Sequence, residues 1–165
     1  AILGVMVFSF ARVGAVVGMK GGDFYPNGRR MWFRVSEKGG KVHEVPAHHS
    51  AEEYLDAYLK VSEHGDAQGT PLFRTLQGQS GRGTDRGMSR TDVLRLIKRR
   101  ALDAGIPAST CCHTFRATGI TAYLKNGGPI EKAQQIAAHE SPRTTKLYDR
   151  THDELTLDEI ERIRI

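Results

Sequence analysis

Cysteine is nearly absent from this chain of 165 residues, and the two that occur, Cys111 and Cys112, are adjacent. Neighbouring cysteines rarely bond to each other, so no disulfide framework holds the fold. A reducing, cytosolic setting is expected, and stability must come from a packed core, for which this length suffices as one domain. No His/Cys set has zinc-ligand spacing and no acidic cluster suggests a harder cation, so neither a metal nor another cofactor is expected. The chain opens Ala1-Ile2-Leu3 without an initiator Met or a basic leader, and Arg12 and Lys20 interrupt the apolar start. That excludes a secretory leader and a membrane-spanning run there, and suggests the interior of a longer protein. Internal repeats and low-complexity tracts are also missing.

What is present is ordinary for a globular domain, with 39% apolar and 26% charged residues, but the net charge is +5. Residues 65–100 hold eight Lys/Arg against three Asp, so a net +5 lies in that segment alone. A solvated face and a backbone-phosphate surface both account for such a segment; Arg95, Lys98 and Arg99 are the DNA-backbone candidates.

Apolar spacing predicts a helix over residues 1–19, or two short helices broken near Ser9–Ala11. Residues 31–35 and 41–45 read as short strands joined by the hairpin Glu37-Lys38-Gly39-Gly40. Residues 51–62 read as a helix, and the Gly-rich stretch 64–88 as a long mobile loop. Ser89 caps a helix over 90–104 whose core face is Val93, Leu94, Ile97 and Ala101. Further helices are expected over 115–124, from Pro129 to Ala138, from Ser141-Pro142 with Tyr148 on the last turn, and over 153–164. The fold class is therefore mainly α (α+β), a multi-helix domain with a small antiparallel sheet of two or three strands near residues 23–46.

The C-terminal third concentrates residues suited to phosphate chemistry. Cys112-His113-Thr114-Phe115-Arg116 is followed by Ala138-His139-Glu140-Ser141 and then Lys146-Leu147-Tyr148-Asp149-Arg150, with nine residues from His139 to Tyr148. This H-x-x-R … H … Y order resembles the tyrosine recombinases, also called the phage integrase family. The resemblance extends upstream: Phe10-Ala11-Arg12-Val13 is similar to the family's first arginine motif, and Lys38 stands where the family carries a lysine between two strands. It implies a catalytic domain over 1–165, lacking the N-terminal core-binding domain that completes the family's clamp on DNA.

The implied reaction is site-specific DNA recombination through a 3′-phosphotyrosine intermediate, without metal or ATP. The residue types suit it. Guanidinium forks bind paired phosphate oxygens and keep their charge, the task expected of Arg12 and Arg116. Tyr148 would be the nucleophile; a phenol of pKa about 10 needs a proton acceptor, and His113 is the candidate. Lys38, with Lys41 as the alternative, would protonate the leaving 5′ oxygen, and His139 would hydrogen-bond the phosphate. His43, His48 and His49 are expected to be structural or exposed, and Cys111 and Cys112 to be filler.

Three positions depart from the family's usual pattern. Ala15 stands where an acid three residues after the first arginine is common, Ala117 where a His often follows the second, and Ala137-Ala138 where Leu-Gly usually precedes the histidine. The partner implied is double-stranded DNA. The 153–164 helix, with Leu155, Leu157, Ile160 and Ile163, is expected either to link four protomers on DNA or to fold back on its own domain, as a monomer. The location implied is cytoplasmic, on the nucleoid when DNA-bound. A type IB topoisomerase-like nicking-closing enzyme and a non-catalytic DNA-binding remnant are the alternatives.

Overall fold

A computed structural model describes residues 1–37, 39–62, 68–78 and 82–149. The apolar start forms α1 (Ile2–Ser9) and α2 (Val13–Gly18), the broken arrangement. The break has a cause at each end. Phe10 takes a left-handed conformation (φ 55°) that ends α1, and Arg12 is extended (φ −69°, ψ 145°) as the cap of α2. Ser9 strengthens the turn, its hydroxyl donating to the Val5 carbonyl at 2.6 Å and accepting from the Ala11 amide at 3.2 Å.

Three strands follow, β1 (Phe24–Asn27), β2 (Arg30–Ser36) and β3 (Val42–Pro46), in antiparallel order β1-β2-β3. Phe33 pairs with Phe24 on one side and Val45 on the other, and Val35 with His43. Phe33 and Val35 are fully buried while Arg34 and Ser36 face out, the alternation a one-sided sheet requires. The β2–β3 hairpin closes through the Glu37 amide to the Lys41 carbonyl (2.7 Å), with Gly39 and Gly40 at positive φ. These strands lie on the main core, which α1, α2, α3 (His49–Val61) and α4 (Arg90–Asp103) complete.

Two expectations are corrected here. The stretch 64–88 is not all loop, for it contains a strand pair, β4 (Arg74–Leu76) with β5 (Gly83–Gly87). Its alternation is hidden because neither strand buries a face deeply; the Thr75 and Thr84 hydroxyls, 2.6 Å apart, link the two strands. Residues 63–67 and 79–81 lie outside the described residues. In α4, Leu94 is 37% exposed, and Leu96 packs on the core beside Val93, Ile97 and Ala101. The Ser89 cap is as expected and is reinforced by Asp92 in a capping box.

The last described helices are α5 (Cys112–Lys125), α6 (Ile130–Ile136) and α7 (Pro142–Lys146). α5 begins three residues before the expected 115, because Cys111 and Thr114 cap it reciprocally. His113 and Arg116 therefore both lie on its first turns. Tyr148 lies two residues beyond α7, not on its last turn. The 153–164 segment is outside the described residues. None of the described helices is long and apolar enough to cross a membrane.

α1 and α5 cross closely because Gly119 has no side chain. A methyl group there would overlap the Val7 carbonyl oxygen and press on the Phe10 ring. Gly119→Ala is expected to destabilise the fold by about 3 kcal/mol, read as a lower urea midpoint at unchanged slope.

Candidate active site

The site forms where the ends of α1, β2 and α6 meet the first turns of α5. Its centre is Arg116, 1% exposed. One guanidinium nitrogen (Nη1) donates to the Phe10 carbonyl and the other (Nη2) to the Ala137 carbonyl at 2.7 Å. Both acceptors lie at helix C-termini, where carbonyls lack intrahelical donors and the helix dipole is negative. The end of α6 is tied off by Ala138, left-handed at φ 48°. The His139 amide bonds back to the Gln134 carbonyl and the Ala138 amide to that of Gln135, both at 3.1 Å, the Schellman arrangement. His139 is thereby set immediately after the turn.

Burial and the charge of Arg12 push Arg116 down to about 10, still cationic at neutral pH. The countercharge is Glu37. Its Oε2 accepts from Arg12 Nη1 at 2.8 Å, and its Oε1 lies 4.0 Å from Arg116 Nη1. The Glu37 side chain is 4% exposed while that of Arg12 is 45% exposed, so the carboxylate grips Arg12 from the protein side and leaves its other side open. A cavity of about 500 Å³ opens over this pair, lined by Arg12, Ala15, Glu37, Arg90, His113 and Arg116 among others.

Tyr148 is docked in the site. Its hydroxyl is 2.7 Å from His113 Nε2, and its ring stacks on that of His139, centroids 5.9 Å apart and planes at 10°. The Tyr148 amide bonds to the Thr145 carbonyl (3.0 Å), and the Thr121 hydroxyl bonds to the Tyr148 carbonyl (3.4 Å). His139 is 7% exposed, with Nδ1 held by the buried Thr145 hydroxyl at 2.9 Å. Burial, then Arg116 and Arg12, push it down to about 4, so it is neutral at pH 7.

Five of the six expected site residues are thus brought together: Arg12, His113, Arg116, His139 and Tyr148. The sixth, Lys38, lies outside the described residues. Lys41 is exposed and lines a separate cavity with His43 and His139. Arg95 and Arg99 rim another groove beside Tyr54 and Tyr58, and Lys98 donates to the Ala108 carbonyl. The cation of α4 that reaches the candidate cavity is instead Arg90, packed against Gly14. His48 caps α3 and stacks on Phe8, a structural role as expected. Cys111 and Cys112 are half-buried, and the first caps α5. No metal-ligand cluster occurs among the described residues.

Glu37 and Thr145 were not anticipated. Strand parity identifies the first, since Phe33, Val35 and Glu37 alternate onto the buried face. Thr145 carries no comparable signal.

Residues 1–154 match the phage integrase family. The chain belongs to that family. The tyrosine recombinase XerC of Nitrobacter winogradskyi is 26% identical over 96% of this chain and 47% of its own length. The tyrosine recombinase XerD of Staphylococcus epidermidis is 30% identical over 70% of this chain and 38% of its own. The chain therefore spans less than half the length of these relatives. Among solved structures, XerA recombinase superposes with a TM-score of 0.72 at 24% identity, over 97% of this chain and 54% of that one. The Tn1549 transposon integrase in complex with circular intermediate DNA gives 0.73 at 18% identity, over 98% and 58%. These are the neighbours expected of a phage integrase catalytic fold, mainly helical with small antiparallel sheets.

Two outcomes follow for this integrase-family site. Folded His139 titrates near 4 and unfolded histidine near 6.5, so below 6.5 the unfolded chain takes a proton the folded one refuses. Stability is full above pH 6.5 and is lost between 6.5 and 4, by up to about 3 kcal/mol; urea midpoints should fall from pH 7 to pH 5, less steeply in His139→Gln. Ala138→Gly should raise stability by about 1 kcal/mol by removing the left-handed penalty of an L side chain, read as a higher melting temperature.

Proposed function

We propose that this domain performs conservative site-specific recombination on double-stranded DNA, by cleavage and rejoining through a 3′-phosphotyrosine. The observation that carries this reading is the 2.7 Å contact between Tyr148 and His113, beside a cavity lined by Arg12, Arg90 and Arg116. In the proposed step the Tyr148 oxygen attacks the scissile phosphorus while His113 Nε2 takes its proton. Arg12, with its free side, and Arg116 hold the non-bridging oxygens as charge builds on them. His139 is neutral and anchored at Nδ1, so it serves as a hydrogen-bonding group through Nε2, not as a cation. The bond to the 5′ oxygen breaks, and Lys38 is assigned the proton that this leaving group needs. Support for Lys38 is its place in the chain, one residue beyond Glu37, whose carboxylate reaches Arg12 and lies near Arg116. The phosphoester is kept as a tyrosyl ester, so attack by another 5′ hydroxyl reseals DNA without ATP.

The same reading includes a homotetramer on DNA linked through residues 153–164, in a cytoplasmic setting. Its support is the apolar series Leu155, Leu157, Ile160 and Ile163 within an otherwise charged segment. The backbone contacts proposed for Arg95, Lys98 and Arg99 rest on their exposure along α4, and Arg90 joins them because it reaches the candidate cavity.

The full-length protein, incubated with a nicked duplex carrying its recombination site, should form a covalent protein–DNA adduct visible on a denaturing gel. Tyr148→Phe should abolish the adduct, and Arg116→Ala should reduce its rate by about 100-fold or more. Absence of the adduct on DNA that the full-length protein binds would overturn the reading in favour of a non-catalytic DNA-binding remnant. Relaxation of supercoiled plasmid without exchange between two sites would favour the topoisomerase-like alternative.

A further inference from the structure

Glu37 is a buried carboxylate in a site meant for an anion, and that requires a reason. Taking a carboxylate out of water costs several kcal/mol unless it is paired, and its own charge opposes a phosphate in the same cavity. Yet its side chain is 4% exposed, Oε2 is 2.8 Å from Arg12, and Oε1 has no hydrogen-bond partner among the described residues. Oε1 instead lies 4.0 Å from the buried Arg116 guanidinium. Strand parity puts Glu37 inward, and the hairpin bond from its amide to the Lys41 carbonyl fixes the backbone there. Ala15, on α2, lines the same cavity.

We propose that Glu37 is the positioning residue of this site, holding Arg12 against the repulsion of Arg116 so that both guanidiniums meet one phosphate. The inference rests on the strand-exchange reading above. Two guanidiniums in one partly desolvated pocket repel each other, and the more exposed one, Arg12, is free to swing toward water. Among the described residues no backbone carbonyl accepts from the Arg12 side chain, in contrast to Arg116, and its anchor is Glu37. A carboxylate behind the arginine, away from the open side, sets its direction without occupying the nitrogen that a phosphate would use.

Two effects of removing the Glu37 charge compete. Loss of a negative charge favours DNA binding, whereas loss of the anchor disfavours the ordered transition state. The proposal requires the second to dominate the chemical step. In Glu37→Gln of the full-length protein, the single-turnover rate of adduct formation on the nicked duplex should fall about 10- to 100-fold, as for other outer-sphere anchors of a reactive group. DNA affinity by gel shift should be unchanged or higher. Because the rate constant reports only folded protein, misfolding would lower the amplitude and not mimic this split. Glu37→Asp should recover part of the rate, and Ala15→Asp added to Glu37→Gln should restore some of it by placing a carboxylate in the same cavity. A wild-type rate in Glu37→Gln, or a parallel fall in rate and affinity, would overturn the assignment. A crystal structure of Glu37→Gln tests it without any activity: the Arg12 guanidinium should leave its place, and its staying there would overturn the proposal even if no adduct ever forms with wild-type protein.

Discussion

The rest of the structure depends on keeping one guanidinium charged out of water. A buried, unpaired cation costs far more than a typical domain's margin of stability. Arg116 is made tolerable by two helix ends and a carboxylate: the Phe10 carbonyl after α1, the Ala137 carbonyl at the end of α6, and Glu37 at 4.0 Å. Each is a demand on the fold. The Phe10 carbonyl is within reach because Gly119 lets α1 lie against α5. The Ala137 carbonyl is available because the chain turns left-handed at Ala138 instead of continuing the helix. Glu37 is present because the residue after β2 keeps the strand's alternation onto the buried face. Two left-handed non-glycine residues beside a single arginine are what is expected where surrounding contacts over-determine the backbone at a functional site.

This arrangement divides the charge. Arg116 is fixed, Arg12 is anchored from one side only, and Glu37 cancels one of the two positive charges while no phosphate is present. His139, buried and close to both arginines, is held neutral, so it donates or accepts a hydrogen bond without adding charge. His113 stands exposed on the first turn of α5 and contacts the phenol. Burial and the neighbouring arginines thus hold one imidazole neutral, while the other stands exposed against the phenol.

Much of this was readable in the sequence, for local reasons. His113 and Arg116 are one turn apart in any helix, and the step from His139 to Tyr148 spans one short helix and its turns. Those relations survive errors of a few residues in helix ends, which is why the site was legible although α5 begins earlier than expected and Tyr148 falls beyond α7. The break between α1 and α2 was legible only as an alternative to one continuous helix, because apolar spacing fits both. The β4–β5 pair was not, because exposed strands joined by threonine hydroxyls and flanked by glycine show no apolar alternation. Leu94 was misassigned because Leu94 and Leu96 lie on opposite flanks of the Val93–Ile97 stripe, and only packing decides between them. Glu37 was missed because a glutamate in a hairpin reads as solvated; the inward parity of Phe33 and Val35 outweighs that expectation only once the register is known.

The departures at Ala15 and Ala138 become intelligible on the same terms. Family resemblance leads one to expect an acid at 15 and a glycine at 138, yet the groups those residues would serve are in place. At 138 the turn bonds from His139 and Ala138 to the preceding helix hold the left-handed conformation that glycine would adopt at less cost. At 15 the carboxylate is missing from α2, but Glu37, the residue after β2, bonds Arg12. In both places what is preserved is an interaction and not a residue: a free carbonyl for Arg116, and an anion behind Arg12. A chain about a quarter identical to its relatives can keep the geometry of the site on those terms, because the buried guanidinium constrains the positions of its partners and leaves open which segment supplies them.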